Sequence, residues 1–581
     1  MINDKNYKTI GLLLEDSFTD YPKDVTHSVV HSVMNRKDIR LVMITGRQDD
    51  STDSEDREHL YKQMYNSIYR INSLCHFDGL LVAIPNLFGR EDLFARGKEL
   101  FGNIPRVIIS LEDPDEITVN YDNAMGIVEA LDYLVRIKGF TRICMLGGRD
   151  DNPDAIERKK AFCGYLAEAG LIFTEDMYEK TDMTVNTRGA AARLLERNPD
   201  AQAIFCVNDQ SAEGLYEAMK AKDLIPGKDI MVFGFDNAAR AGQMIPPLSS
   251  IGVAGATLGG KALEILLDMI NGQEVSPVRI PTRLYGRESL KYESYEITTR
   301  DILRADSAFI YSFFDDCFYR YGTEIVDPGD IDLRRLFYEI VSGMMSAAKN
   351  RYMDDKHISR LRHLIDIFFQ NGAMRYTDAA KFVRSLSRLQ GSMNEIQGKG
   401  YVNTDNNRLF SYIRDKAIQA LTFERSAEGK RYYTVRETNF EFMINTAGYG
   451  AHGGAGIENV IRNLSKVGFD NAALYLFDKP KEYTGALTDT IPDEVNLRYV
   501  LKEGEIFEIP EERRRCRVDE IYTRRELPHE TMGYASYPLF YGGVLLGILV
   551  TGISRKIMDS GGYMSFLIGR AIYENSPEML T

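Results

Sequence analysis

Over the first 300 residues, short apolar runs alternate with helix-length amphipathic stretches. Thr9–Leu14, Ile39–Thr45, Gly79–Ala83, Arg106–Ser110, Arg142–Leu146, Ala203–Val207 and Ile230–Phe235 read as strands. Lys23–Met34, Leu60–Ile71, Arg90–Leu100, Ala124–Ile137, Ala155–Ala169 and Thr187–Glu196 carry apolar residues at helical spacing. Strands alternating with helices predict parallel sheets built from successive strand–helix–strand units. The break near residue 120 divides the pattern into two lobes, and a cleft between two such lobes is a natural small-molecule site.

The stretch 203–236, AIFCVNDQSAEGLYEAMKAKDLIPGKDIMVFGFD, is the most telling. Its two strands end in polar residues, Asn208-Asp209 and Asp236. Ligands of open α/β sheets bind at the carboxyl ends of the strands. Asn208, Asp209 and Asp236 therefore stand where a polar molecule would be held. The same residue types also cap helices and loops at a sheet rim, a bland role that competes with ligand contact.

Beyond residue 300 the period changes. Ile302–Tyr321, Leu333–Ala348, Ile358–Phe369, Ala379–Leu389 and Leu409–Phe423 are helical, with breaks at Asp327-Pro328-Gly329, Asn371-Gly372 and 398–407. This predicts an all-α connector over 300–435, with the aromatic run FIYSFFDDCFYRY in its core. Residues 436–581 then read as an α+β domain. They show a helix at Gly456–Val467, a strand at Asn471–Phe477, two strands about Gly542-Gly543, and a closing helix at Tyr563–Tyr573.

Composition narrows the classes. The formal charge of −14 argues against broad contact with nucleic acid. The N-terminus lacks a signal-peptide layout, and no apolar run is long enough to span a membrane, so a cytoplasmic location is expected. The six cysteines are scattered without a C-x-x-C pair and read as buried free thiols. No nucleophile–base set, metal-ligand cluster or phosphate loop stands out, so no catalytic residue, metal or cofactor is assigned and no enzyme is expected. The glycine-rich 448–453 imitates a dinucleotide-binding pattern but follows no strand. Arg513-Arg514-Arg515 with Arg517, beside Glu511-Glu512, reads as a solvated loop.

Several ordered motifs resemble one family. They are Asp122-Asn123-x-x-Gly126, Gly139-Phe-Thr-Arg-Ile143, Gly147-Gly148, Arg158-x-x-Ala161-Phe162, Asn208-Asp209-Gln210, Gly234-Phe235-Asp236-Asn237 and Pro246-Pro247-Leu248-Ser249-Ser250. With Leu284–Leu290 as a last strand, residues 8–290 resemble the effector-binding core of the lac/gal repressor family, which has the type I periplasmic-binding-protein fold. The resemblance implies that Arg158, Asn208 and Asp236 bind ligand hydroxyls or a carboxylate from the second lobe. It implies that Asp16 and Phe18 close from the first lobe and that Tyr121 supplies an aromatic wall. Met183 stands where sugar-binding members carry an indole, and the chain has no Trp; Val253-Ala254 is a further departure. Residues 436–581 resemble a GAF-type domain, an order similar to bacterial sensors that often end in a diguanylate cyclase.

The fold expected is thus a two-lobed periplasmic-binding-protein-like domain over 1–299, its lobes split near 120, 252 and 280, then the connector and the GAF-like domain. The leading function is a cytoplasmic sensor of a small polar ligand, sugar-like or otherwise polyhydroxylated or carboxylated. Lobe closure would be relayed to the GAF-like domain and a protein partner. The alternatives are a lac/gal-type transcriptional regulator working through a DNA-binding partner, the sensor part of a signalling enzyme such as a diguanylate cyclase, and a transport solute-binding protein. The first strand begins near Tyr7, which leaves no room for an amino-terminal reading head, so direct DNA binding is not expected. Apolar stripes on Leu409–Phe423 and Tyr563–Tyr573 predict a homodimer.

Overall fold

In the computed structural model, residues 7–14, 20–33, 36–47, 57–84, 100–110, 113, 115–253, 258–292, 297–304, 306–321, 331–350, 352–396, 404–446, 457–484, 489–528 and 533–575 are described. The expected helix at 90–100 except its last residue, the break at 327–329 and the glycine-rich 448–453 lie outside them. The chain separates into two units. One comprises Met1–Asn120, Leu258–Val278 and Gly429–Thr581, and the other Tyr121–Thr257 and Arg279–Glu428.

The first unit is built on β1 (Lys8–Leu14), β2 (Ile39–Thr45), β3 (Gly79–Ala83), β4 (Arg106–Ile109) and β5 (Ile117–Asp122). All neighbours are parallel, in the order β2-β1-β3-β4-β5. Ile10, Leu12, Val42, Met43, Leu81 and Ile108 are buried, as near-continuous apolar runs must be when helices cover both faces. The helices Asp20–Val33 and Leu258–Ile270 pack closely. A Cβ at Gly259 would sit 2.6 Å from the Val25 carbonyl, so this crossing requires glycine.

In the second unit, β6 (Ile143–Gly147), β7 (Tyr178–Lys180), β8 (Ala203–Cys206), β9 (Met231–Phe235), β10 (Ser249–Val253) and β11 (Val278–Tyr285) form a sheet ordered β7-β6-β8-β9-β10-β11. Only the β10–β11 pair is antiparallel. Asp122, Asn152 and Asn208 cap the helices Asn123–Asp132, Pro153–Glu168 and Asp209–Lys220. The last strand is corrected from 284–290: it ends at Tyr285, because beyond Gly286 the Arg287 amide donates to Ser249 Oγ at 2.7 Å and its guanidinium turns inward.

The same unit holds the helices Thr299–Arg304, Ser307–Cys317, Leu333–Asn350, Asp355–Gln370 and Ala379–Ile396, and the start of Thr404–Thr446. Their common core includes Phe313, Phe314, Phe318, Phe337, Phe368 and Phe410, which places the aromatic run as its sequence suggests. The span 302–321 divides before Ser307, whose helix is capped by Asp306. Thr404–Thr446 is a single helix of 43 residues, running well past Phe423. Its continuation through ERSAEGKRYYTVRE has no apolar stripe, so periodicity could not reveal it, although its Glu, Ala, Lys and Arg favour helix.

Residues 457–575 return to the first unit. Here β12 (Ala472–Glu482), β13 (Glu494–Lys502), β14 (Glu505–Glu508), β15 (Arg515–Arg517), β16 (Gly533–Tyr541) and β17 (Val544–Gly552) pair antiparallel. The turn at Gly542-Gly543 joins β16 and β17 as a hairpin, with Gly542 at φ 58°. Arg513, Arg514, Arg515 and Arg517 occupy a short helix and β15, and each pairs with an acid: Glu526, Glu508, Glu494 and Asp519.

The sequence does not foreshadow what β16 does next. Its Gly533–Ser536 pairs in parallel with Leu41–Ile44 of β2, so the lobe sheet runs on into the C-terminal sheet. The fully buried Asn72 donates to Ser536 Oγ at 3.1 Å and accepts from Tyr522 Oη at 2.6 Å. The Tyr61 ring lies 5.7 Å from that of Phe540 and 5.5 Å from that of Phe566.

Candidate ligand site of the second lobe

The carboxyl ends of β6, β8 and β9 bring three of the expected residues together. Arg158, from the helix capped by Asn152, is only 3% exposed. Its Nη1 donates to the Val207 carbonyl at 2.9 Å and lies 3.3 Å from Asp236 Oδ1. Its Nε donates to Asn123 Oδ1 at 3.0 Å, and the guanidinium lies 3.7 Å over the Phe235 ring. A guanidinium so fixed presents its charge in one geometry. The family motif gave no hint that Arg158 is buried rather than water-accessible. Replacing it therefore costs packing and hydrogen bonds as well as a ligand contact.

Asp236 is the outward member, with its side chain 46% exposed. It stands at φ 98° and Asn237 at φ 49°, two successive non-glycine residues in the left-handed region. Such a turn persists only where its surroundings hold it. Asp209 does this: it accepts from the Ala238 amide at 2.8 Å and from Ser250 Oγ at 2.6 Å, while Ser250 Oγ accepts from the Asn237 amide at 3.0 Å. Burial, and then the nearby Asp236 charge, push the Asp209 carboxyl well above its ordinary range. A Cβ at Gly234 would lie 2.3 Å from Asp209 Oδ1, which accounts for the glycine of Gly234-Phe235-Asp236.

Asn208 is 8% exposed and its amide is committed at both ends. Oδ1 accepts from the Ser211 amide at 2.9 Å, and Nδ2 donates to the Met183 carbonyl at 2.9 Å. Met183, at φ 66°, is half-buried at this edge, and a Cβ at Gly148 would strike its Sδ at 2.7 Å. Tyr121 is half-buried at the end of β5, two positions before the Asn123 that holds Arg158. Asp16 and Phe18 lie outside the described residues.

Sequence reasoning placed Asp209 where a ligand would be held and missed the supporting roles of Asn123, Phe235, Asp209 and Arg287. All four lie inside or beside quoted motifs, but a one-dimensional pattern does not tell a residue that faces a ligand from one that holds its neighbour. The six cysteines are free; all are buried but Cys163, which is half-buried. Among the described residues no group of three or more His, Cys, Asp or Glu is placed to hold a metal ion, and no helix is long and apolar enough to cross a membrane.

A parallel sheet with polar residues at its carboxyl strand ends is the layout in which open α/β sheets hold ligands. Residues 131–290 match the periplasmic binding protein-like domain family. This part of the chain is a periplasmic-binding-protein-like α/β domain, and the relatives it resembles are named as transcriptional regulators and repressors. The HTH-type transcriptional regulator CelR of Thermobifida fusca is 30% identical over 174 residues, which are 29% of this chain and 51% of CelR. The ribose operon repressor of Escherichia coli (strain K12) is 27% identical over 278 residues, 47% of this chain and 78% of the repressor. The solved CelR–cellobiose complex is 24% identical with a TM-score of 0.41, covering 49% of this chain and 86% of that one. The chain spans about half the length of CelR. These relatives favour the transcriptional alternative over the sensor reading, and they lend no support to the expectation that DNA is not contacted directly.

Proposed function

We propose that the protein is a ligand-responsive regulator of transcription that binds a small polyhydroxylated molecule at the strand ends of the second lobe of its periplasmic-binding-protein-like domain. One observation carries the reading: Asp236 projects a half-exposed carboxylate from a braced left-handed turn, beside a buried Arg158 stacked on Phe235. A carboxylate with an adjacent guanidinium suits vicinal hydroxyls, and a relative named as a ribose operon repressor favours a sugar. Asn208, Tyr121 and Met183 would border the same molecule. Residues 436–581 would act as a GAF-like output domain in the cytoplasm.

The test is calorimetric titration of the full chain with D-ribose and a panel of hexoses, disaccharides and nucleosides. At least one should bind, and Asp236→Asn should weaken it about tenfold to a hundredfold, as expected for a charged hydrogen bond. No binding across the panel, or unchanged affinity in the variant, sinks the reading.

A dimer belongs to the same proposal, but on a narrower basis than its apolar stripes. Leu409, Phe410, Ile413 and Ala417 join the helical core, and Met564, Ile568, Ala571 and Ile572 are buried. Ile418 and Phe423 remain 62% and 69% exposed on the 43-residue helix. Light scattering should give twice the chain mass, falling to a single chain in Phe423→Ser; a wild-type monomer at micromolar concentration overturns the expectation.

A further inference from the structure

The turn that presents Asp236 is also wired to the helices of its own unit. Arg287 is wholly buried. Its Nη2 donates to Asn237 Oδ1 at 2.7 Å and to Tyr319 Oη at 2.8 Å. Its Nε donates to Asp378 Oδ2 at 2.9 Å, and its Nη1 to the Leu248 carbonyl at 2.8 Å. Asn237 and Leu248 flank the 3-10 turn Ala239–Gln243, whereas Tyr319 follows the helix Ser307–Cys317 and Asp378 precedes the helix Ala379–Ile396. Asp378 Oδ1 also accepts from the Lys381 amide at 2.7 Å, at the start of the helix Ala379–Ile396. A second contact lies nearby. A Cβ at Gly242 would stand 3.0 Å from Asp378 Cβ and 3.3 Å from an Arg320 nitrogen.

We infer that Arg287 couples the Asp236–Gln243 segment to the ends of the helices Ser307–Cys317 and Ala379–Ile396, which Tyr319 and Asp378 flank, so that a change in the Asp236 turn repositions them. The inference rests on the proposed ligand role of Asp236 only for its biological purpose. A guanidinium has a fixed fork of donors, and a buried one cannot exchange a lost partner for water. Asn237 shares its strained turn with Asp236, so a shift of one moves the other. Its carboxamide must then release Nη2 or draw Arg287 along. Either outcome alters the position of Asp378, and with it the first turn of Ala379–Ile396. That helix precedes Thr404–Thr446, along which the chain leaves this unit near residue 429.

The coupling is testable without any ligand, so failure of the sugar reading would leave it standing. Amide hydrogen exchange is followed on the full chain in wild type, Tyr319→Phe and Tyr412→Phe. Tyr319→Phe deletes one hydroxyl bonded to Arg287. Tyr412→Phe deletes one bonded to Asp366 in the same helical region. Tyr319→Phe should speed exchange across 236–243 about tenfold, the scale of one lost bond to a charged group, and Tyr412→Phe should leave that segment unchanged. Asp236→Asn, whose substitution is confined to the turn, should in return change exchange in the first turn of Ala379–Ile396. Exchange across 236–243 within twofold of wild type in Tyr319→Phe overturns the coupling. So does an equal rise in every segment, and so does a silent Ala379–Ile396 in Asp236→Asn.

Discussion

Asp378→Ala is expected to lose about 3–5 kcal/mol of stability, the range for removing one partner of a buried ion pair. Asp378 is 5% exposed and Arg287 is fully buried, so the variant would leave a guanidinium with neither counter-ion nor water. The shift on Asp378 also fixes how this effect varies with pH. Burial by itself would raise the carboxyl, but the Arg287 charge and the Lys381 amide outweigh it and hold it below the ordinary aspartate range. A group depressed in the folded state contributes stability above its unfolded value, near 3.9, and loses it as pH falls through the folded value. Urea midpoints of wild type and variant should therefore lie far apart at pH 7 and converge under acid conditions. Coincident midpoints at pH 7 would show that the pair holds nothing together. Asp378→Asn keeps an acceptor for Arg287 and should lose less.

Gly533→Val addresses the seam between the lobe sheet and the C-terminal sheet. A Cβ at residue 533 would lie 2.3 Å from the Leu41 carbonyl oxygen and 3.0 Å from its carbon, and backbone atoms in a sheet cannot step aside. Overpacking of this kind costs about 1–3 kcal/mol. Here it should also part β16 from β2 and open the hydrogen bonds that Asn72 makes with Ser536 and Tyr522. Limited proteolysis should cut the variant faster within β16 while β12, β13 and β17 stay protected. Identical cleavage in both proteins would mean that the pairing does not hold the two sheets in register.

Most of the second lobe was legible because its strands are short, apolar and bounded by polar residues. The helix starts carried their own signals, Asp122, Asn152-Pro153 and Asn208. Arg158 and Asp236 were each readable as ligand-site candidates from ordered motifs, and only the structure brings their charges to 3.3 Å. Burial was not readable. Arg158 and Arg287 look like exposed cations in a string of letters, and only the fold supplies Asn123, Asn237 and Asp378 as their partners. The run of Thr404–Thr446 past Phe423 escaped because it shows no apolar stripe. The strands β13 to β15 escaped because charged residues interrupt their alternation. The β2–β16 pairing joins residues almost five hundred positions apart, where no local rule reaches.

That pairing decides how the chain can be cut. A fragment ending near residue 299 isolates the expected ligand-binding module, yet it strips β2 of β16 and leaves it only β1. Leu41–Ile44 would then present bare backbone donors and acceptors along an apolar strand, with Asn72 and Tyr65 uncovered beside it. Such an edge recruits the same edge of another molecule. Precipitation of that fragment would report a missing strand, not an unstable lobe.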